Sequence, residues 1–407
     1  MIKAHAEIVR DNIPKSTLLS VYNGYLHIET EEENAVQAFL NRTLPQAHVN
    51  DMYFQGRNAY LPRDPGVYML RGPLSYLEPY LQISGGCYQP FEIVENGVAR
   101  LSNQILPPSA TNFVPGRESM HATAYIDERT GKIAFDKKEY APTGAYTYAQ
   151  AERKAAKTME MYDRLHTKNI DRRGECRVII PRVVDMIKYP ELHDPNGKPL
   201  YGIIMLVQDP HKLVDQAFIQ SLNRFPDSAT ASKDLTEFYR QVSLQIQPLY
   251  RNLGIVAEAL KNIHNFAGVT HGQPVLGNLG TLSYVGRSVF PDTAFFKDWD
   301  TMCPLPRIRS KDDFAKYWKA RALDLYAMII SATKTIDILF PRFAFDMGVY
   351  LTLQRAITIG IVNSVVQSYT GSADEVDFDS LFNSNTDLET KINEFGVYLE
   401  SCMNRTS

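Results

Sequence analysis

Apolar and polar positions alternate in two different rhythms along the chain. Up to about residue 207 the apolar residues come in short runs, and beyond it they recur at helical spacing over much longer stretches. Strand-like runs at Leu18 to Tyr22 and Tyr25 to Ile28, with a helix near Glu31 to Arg42, occupy the first 80 residues. Gly, Pro, Ser and Asn are frequent between about 84 and 118, which predicts loops or a boundary. His121 to Ile126 and Lys132 to Lys137 flank Asp127-Glu-Arg-Thr-Gly131, the pattern of a β-hairpin. Thr147-Tyr-Ala-Gln150 is a capping box, with a hydroxyl and an amide able to satisfy each other's backbone N–H, so a helix is predicted over 149–165. After a charged loop at 168–175, strands are predicted at Arg182 to Lys188 and Leu200 to Val207, turned by Asn196-Gly197. The remainder reads as mainly helical, apart from a β insertion at 279–297.

The 407 residues are 44% hydrophobic, enough for a large core, and the length favours two or three domains or lobes. Lys and Arg number 43 against 46 Asp and Glu, so a net charge of −3 gives no general pull toward nucleic acid or an anionic membrane. Neither class of partner is expected. The most apolar stretches, 322–340 and 348–366, are interrupted by Asp324, Lys334, Asp337, Gln354 and Arg355 and do not read as membrane spans. The start, MIKAHAEIVRDNIPK, has no apolar signal core. Cys87, Cys176, Cys303 and Cys402 lie far apart with no C-x-x-C pair, which reads as free thiols in a reducing, cytoplasmic setting. The nine His include no H-x-x-x-H pair, so a zinc hydrolase has no support.

The most informative segment runs from Ile263-His-Asn-Phe-Ala267 through His271-Gly-Gln-Pro-Val-Leu-Gly-Asn278, across the β insertion, to Asp298-Trp299-Asp300. An Asn and an Asp at the two ends of a short hairpin put two hard oxygen ligands close together, as Mg²⁺ beside nucleotide phosphates requires. HGQPVLGN followed by KDWD resembles the protein-kinase-like superfamily, in particular the aminoglycoside-phosphotransferase type, whose loop reads H-G-D-x-x-x-x-N before a strand pair and D-W or D-F. It is also partly similar to the selenoprotein-O adenylyltransferases, where the third loop position is not Asp.

The resemblance covers roughly residues 110–370 and implies an α+β, two-lobed protein-kinase-like fold with a mixed N-terminal extension. The extension would be 1–110, the N-lobe 111–208 and the mainly helical C-lobe 209–407. It further implies ATP and Mg²⁺ as cofactors, with Asn278 and Asp298 on the metal. Lys137 or Lys138 would meet the phosphates, Glu152 or Glu160 would orient that lysine, Gly116 would sit in a weak glycine loop, and residues from Met205 to Gln208 would face the adenine. His271, Gln273, Asp298 and Asp300 form the candidate catalytic set, His271 chiefly as a brace. Two departures matter. Gln273 stands where the family has its proton-accepting Asp, and a neutral amide is no general base. The acidic residue that selenoprotein-O-like chains carry before the Asn is Gly277 here. The expected activity is phosphoryl or adenylyl transfer to an unknown small molecule or protein, with Asp300 or the substrate as base. The alternative is a pseudokinase that binds nucleotide or a protein partner without turnover.

Overall fold

The computed structural model describes residues 17–19, 53–62, 80–89, 91–93, 99–101, 123–136, 146–167, 177–193, 196–207, 213, 235–281, 292–339, 347–382 and 386–406. The strands in chain order are β1 Thr17–Leu19, β2 Tyr53–Pro62, β3 Tyr80–Gln89, β4 Phe91–Ile93, β5 Ala99–Leu101, β6 Thr123–Ile126, β7 Ile133–Asp136, β8 Arg177–Ile179, β9 Arg182–His193, β10 Pro199–Val207, β11 Val269–Thr270, β12 Leu279–Thr281, β13 Thr293–Phe296 and β14 Cys303–Pro304. The helices are α1 Tyr148–Thr167, α2 Leu235–Asn262, α3 Lys311–Leu339, α4 Met347–Thr370, α5 Phe378–Phe382 and α6 Leu388–Thr406. The class is α+β, as expected.

A five-stranded antiparallel sheet has the order β1-β9-β10-β3-β2. Its hydrogen bonding crosses the boundary expected at 110, because β3 pairs with β10 from Ile203↔Ser84 to Val207↔Tyr80. Strands from the proposed extension are therefore part of the same sheet as 182–207. Gly197, with φ +75°, makes the β9–β10 turn that Asn196-Gly197 predicted. The hairpin β6–β7 also forms where expected, with Asp127 accepting from the Thr130 backbone N–H at 2.7 Å. It belongs to a separate two-stranded sheet, however, and docks on the helical body: Ala124 N donates to Gly272 O at 3.2 Å, and Lys319 of α3 reaches Gly131 O at 2.7 Å. Lys319 is also ion-paired with Glu389 of α6, which accepts from Ile133 N at 3.0 Å.

Helix α1 starts at the predicted capping box: Gln150 N donates to Thr147 Oγ1 at 3.3 Å, and Thr147 N donates to Gln150 Oε1 at 3.0 Å. The helix serves two hydrophobic clusters. Ala151 and Ala155 pack under the large sheet with Val183, Met186, Ile203, Met205 and Val207. Met161 and Leu165 join the main core, built chiefly from α2, α3, α4 and α6. Small residues at 151 and 155 let the helix approach the sheet closely, and the larger ones a turn later fill the wider helical core. Among the described residues, no helix is long and apolar enough to cross a membrane.

Candidate functional site

Helix α2 ends in a π-helical turn, Ile263–Ala267, capped by Gly268 at φ 68°. The wide turn inserts His264 into the core, where its ring nitrogens meet Tyr369 Oη at 2.7 Å and Asp324 Oδ2 at 3.1 Å. Two residues of strand follow, and then the loop His271–Asn278. Asp324, buried in the middle of α3, holds the start of that loop: it accepts from His271 N at 2.6 Å and from Gly272 N at 2.8 Å. A buried carboxylate with three N–H donors is a strong anchor because each bond is charge-assisted in a low-dielectric setting. Gly272 takes φ 78° at the bend, a conformation that glycine adopts without steric cost.

His271 is fully buried and both its ring nitrogens are committed to backbone. Nε2 bonds Lys297 O at 2.7 Å, which requires a proton on Nε2, and Nδ1 then accepts from Gln273 N at 3.3 Å. Its carbonyl accepts from Thr301 Oγ1 at 2.6 Å, and its ring lies 4.8 Å from that of Trp299. Burial, opposed by Asp324, holds the imidazole below its ordinary pKa. This geometry makes His271 a brace between the loop and the KDWD segment and leaves no ring nitrogen to carry a substrate proton.

The same brace brings the two candidate metal ligands together. Lys297 N donates to Asn278 O at 2.8 Å, so Asn278 and Asp298 sit on adjacent backbone. Asn278 Nδ2 donates to Gln273 O at 3.1 Å. With its amide nitrogen tied down, the oxygen is the end that can meet a cation. Asp298 adopts a left-handed backbone, φ 61°, the positive-φ non-glycine position among the described residues. Asp tolerates this region better than most residues, yet it still costs about 1 kcal/mol. Thr301 Oγ1 also lies 3.0 Å from Asp298 O, so the single proton it donates to His271 O is shared with that carbonyl. Gln273 is buried, and Asp300 is half-buried in the 3₁₀ turn Trp299–Thr301.

Sequence reasoning missed Lys154. It projects from α1 and forms an ion pair with Asp298 Oδ1, and its side chain is 2% exposed against 25% for Asp298. The ammonium also lies 5.4 Å from the Tyr146 ring centroid. Position 154 falls on the buried stripe of the helix, three residues after Ala151 and four before Thr158. A charge at an apolar register position was the available signal. Glu152 and Glu160, the acids singled out on this helix, take other partners. Glu152 accepts from Tyr148 Oη at 3.3 Å. Glu160 binds Lys157 at 3.0 Å and Arg164 at 2.8 Å, and Arg164 continues to Ala267 O at 3.0 Å. Burial pushes the Glu160 carboxyl up, but those two hydrogen bonds outweigh it and hold it below the usual range.

Gly116, Lys137, Lys138 and Gln208 lie outside the described residues. Met205 and Val207, just before Gln208, are buried against α1. Among the described residues no cluster of three or more His, Cys, Asp or Glu side chains is arranged to hold a metal. A carboxylate and an amide oxygen nevertheless suit Mg²⁺ when phosphate oxygens and water complete the octahedron. No family model and no curated protein matches the chain.

Proposed function

We propose that this protein is an ATP- and Mg²⁺-dependent transferase of two-lobed, protein-kinase-like architecture. It would move a phosphoryl or adenylyl group to a small molecule or protein in the cytoplasm. The observation that carries the reading is that Asn278 and Asp298 stand on directly bonded backbone while Lys154 is ion-paired with Asp298. The His271 brace and the Asp324 anchor hold the first two in place.

Two oxygen ligands and one ammonium form the charge pattern that a polyphosphate with its metal requires: a cation for the phosphates and hard oxygens for Mg²⁺. Asn278 and Asp298 would hold the ion, which when bound neutralises phosphate charge. The chain's own contribution is positioning. Asp324 fixes the loop, His271 fixes its distance from Asp298, and helix α1 delivers Lys154 from the other side. Such preorganisation supplies much of the catalysis in phosphoryl transfer, where little covalent chemistry falls to the protein. Asp300, two residues beyond Asp298, is the acid nearest in sequence that could take a proton from an attacking hydroxyl.

A pseudokinase is favoured by one specific feature, the neutral Gln273 at the position of the family's base. The two readings separate by intact mass after incubation with ATP, Mg²⁺ and candidate acceptors, the chain itself included. Active transfer leaves a phosphate or an adenylyl adduct that disappears in Asp298→Asn and survives in Gln273→Ala. ATP binding with no adduct on any acceptor and no ATP consumption favours the pseudokinase.

A further inference from the structure

We propose that the residue engaging the nucleotide phosphates is Lys154 of helix α1, not a lysine at the end of the β6–β7 hairpin. The inference rests on the nucleotide-binding reading above and assigns its cationic contact. Three observations carry it. First, the Lys154 ammonium already sits on Asp298, the candidate metal ligand, so it lies where phosphate oxygens bridged to a metal at Asp298 would be. Second, the side chains that β9 and β10 pack against α1 are apolar, namely Val183, Met186, Ile203, Met205 and Val207, whereas Lys154 is the buried cation that α1 itself supplies. Where β3 approaches the start of α1, the side chain is neutral, with Ser84 Oγ 2.7 Å from Tyr146 Oη. Third, the hairpin that precedes Lys137 and Lys138 is bonded to Gly272, Lys319 and Glu389 on the helical body instead of joining the five-stranded sheet.

The arrangement has an electrostatic consequence. An ammonium and a divalent cation both seek the Asp298 carboxylate, so Lys154 opposes binding of the metal alone. A polyphosphate relieves that competition by giving the ammonium new anionic partners as the metal arrives. Asp298 is partly exposed while the whole Lys154 side chain is buried, so a polyphosphate would reach the pair from the Asp298 side. Metal and polyphosphate therefore bind together. A buried stem and a headgroup paired with Asp298 also explain how a lysine is tolerated on the buried stripe of α1.

The test uses the full chain and an ATP acyl-phosphate probe, which acylates the lysine amine nearest the phosphates, with peptide mapping of the labelled site. Excess ATP with Mg²⁺ and excess tripolyphosphate with Mg²⁺ serve as competitors. The expected result is acylation of Lys154 that ATP suppresses. Suppression by tripolyphosphate as well identifies a polyphosphate site, and suppression by ATP alone identifies one that also needs the nucleoside. Both support the assignment. ATP-protected labelling of Lys137 or Lys138 with Lys154 unmodified overturns it. In parallel, Lys154→Met keeps the buried stem and removes the charge, and should weaken Mg²⁺-ATP binding by about tenfold or more. Wild-type affinity in a folded Lys154→Met chain shows the ion pair to be a structural tie only. Absence of any ATP binding to the wild-type chain overturns the nucleotide reading itself, a result distinct from misassignment of the lysine.

Discussion

Asp324 is the side chain on which the candidate site depends most. It accepts from His271 N, Gly272 N and His264, so its loss strands three buried donors at once. Asp324→Ala should cost about 3–5 kcal/mol, measured as a fall in urea midpoint at unchanged slope. An effect within the range of surface substitutions would show that the loop is held by other means. His264 and His271 give the fold a pH dependence of fixed sign. Burial lowers both pKa values from 6.5, against the opposing pull of Asp324. Below about pH 6.5 the unfolded chain takes up protons that these folded imidazoles refuse, so stability falls as pH drops. Glu160 and Glu389, held below the ordinary 4.5 by their hydrogen bonds, add a loss of the same sign only at lower pH. The urea midpoint should therefore already decline between about pH 7.5 and pH 5.5, before carboxylates titrate. A flat profile there would mean that the folded imidazoles accept the proton. Asp324 was visible in the sequence only as a polar interruption of an apolar stretch. Its partners lie about fifty residues upstream, and no local pattern reports such a bond. Asn278 and Asp298 were legible because a short hairpin connects them, so spacing alone constrained their distance.

Among the elements, α1 was the most readable and also hid the most. Its capping box is a local exchange of two hydrogen bonds, and residues three apart suffice to predict it. Thr147→Ala should destabilise the chain by about 1 kcal/mol in urea unfolding, and Thr147→Ser should restore most of that. No difference between Ala and Ser would show that the cap is satisfied by solvent. The destination of Lys154 was not visible, since periodicity can assign a side chain to a helix face but not to a partner. The hairpin at 123–136 and the β9–β10 turn were legible for the same local reason as the cap. What escaped was where the hairpin docks, on α3, α6 and the loop at Gly272.

At the scale of the whole molecule, the five-stranded sheet draws together segments more than a hundred residues apart in sequence. Pairing of this kind depends on cross-strand register and long-range closure, so no local pattern in the sequence reports that β3, at Tyr80–Gln89, pairs with β10. Helix α1 then joins that sheet to the helical core, with the Lys154–Asp298 pair at their junction. A nucleotide bound there would bridge both clusters and stabilise the whole chain cooperatively. Thermal unfolding with ATP and Mg²⁺ tests this most directly, because ligand at a hundred times its dissociation constant adds about 2.7 kcal/mol to stability. The account predicts a concentration-dependent rise in Tm that requires both ATP and Mg²⁺, shrinks sharply in EDTA, and is lost in Asp298→Asn relative to that variant's own baseline. No rise at any ATP concentration, or an equal rise in Asp298→Asn, would contradict it.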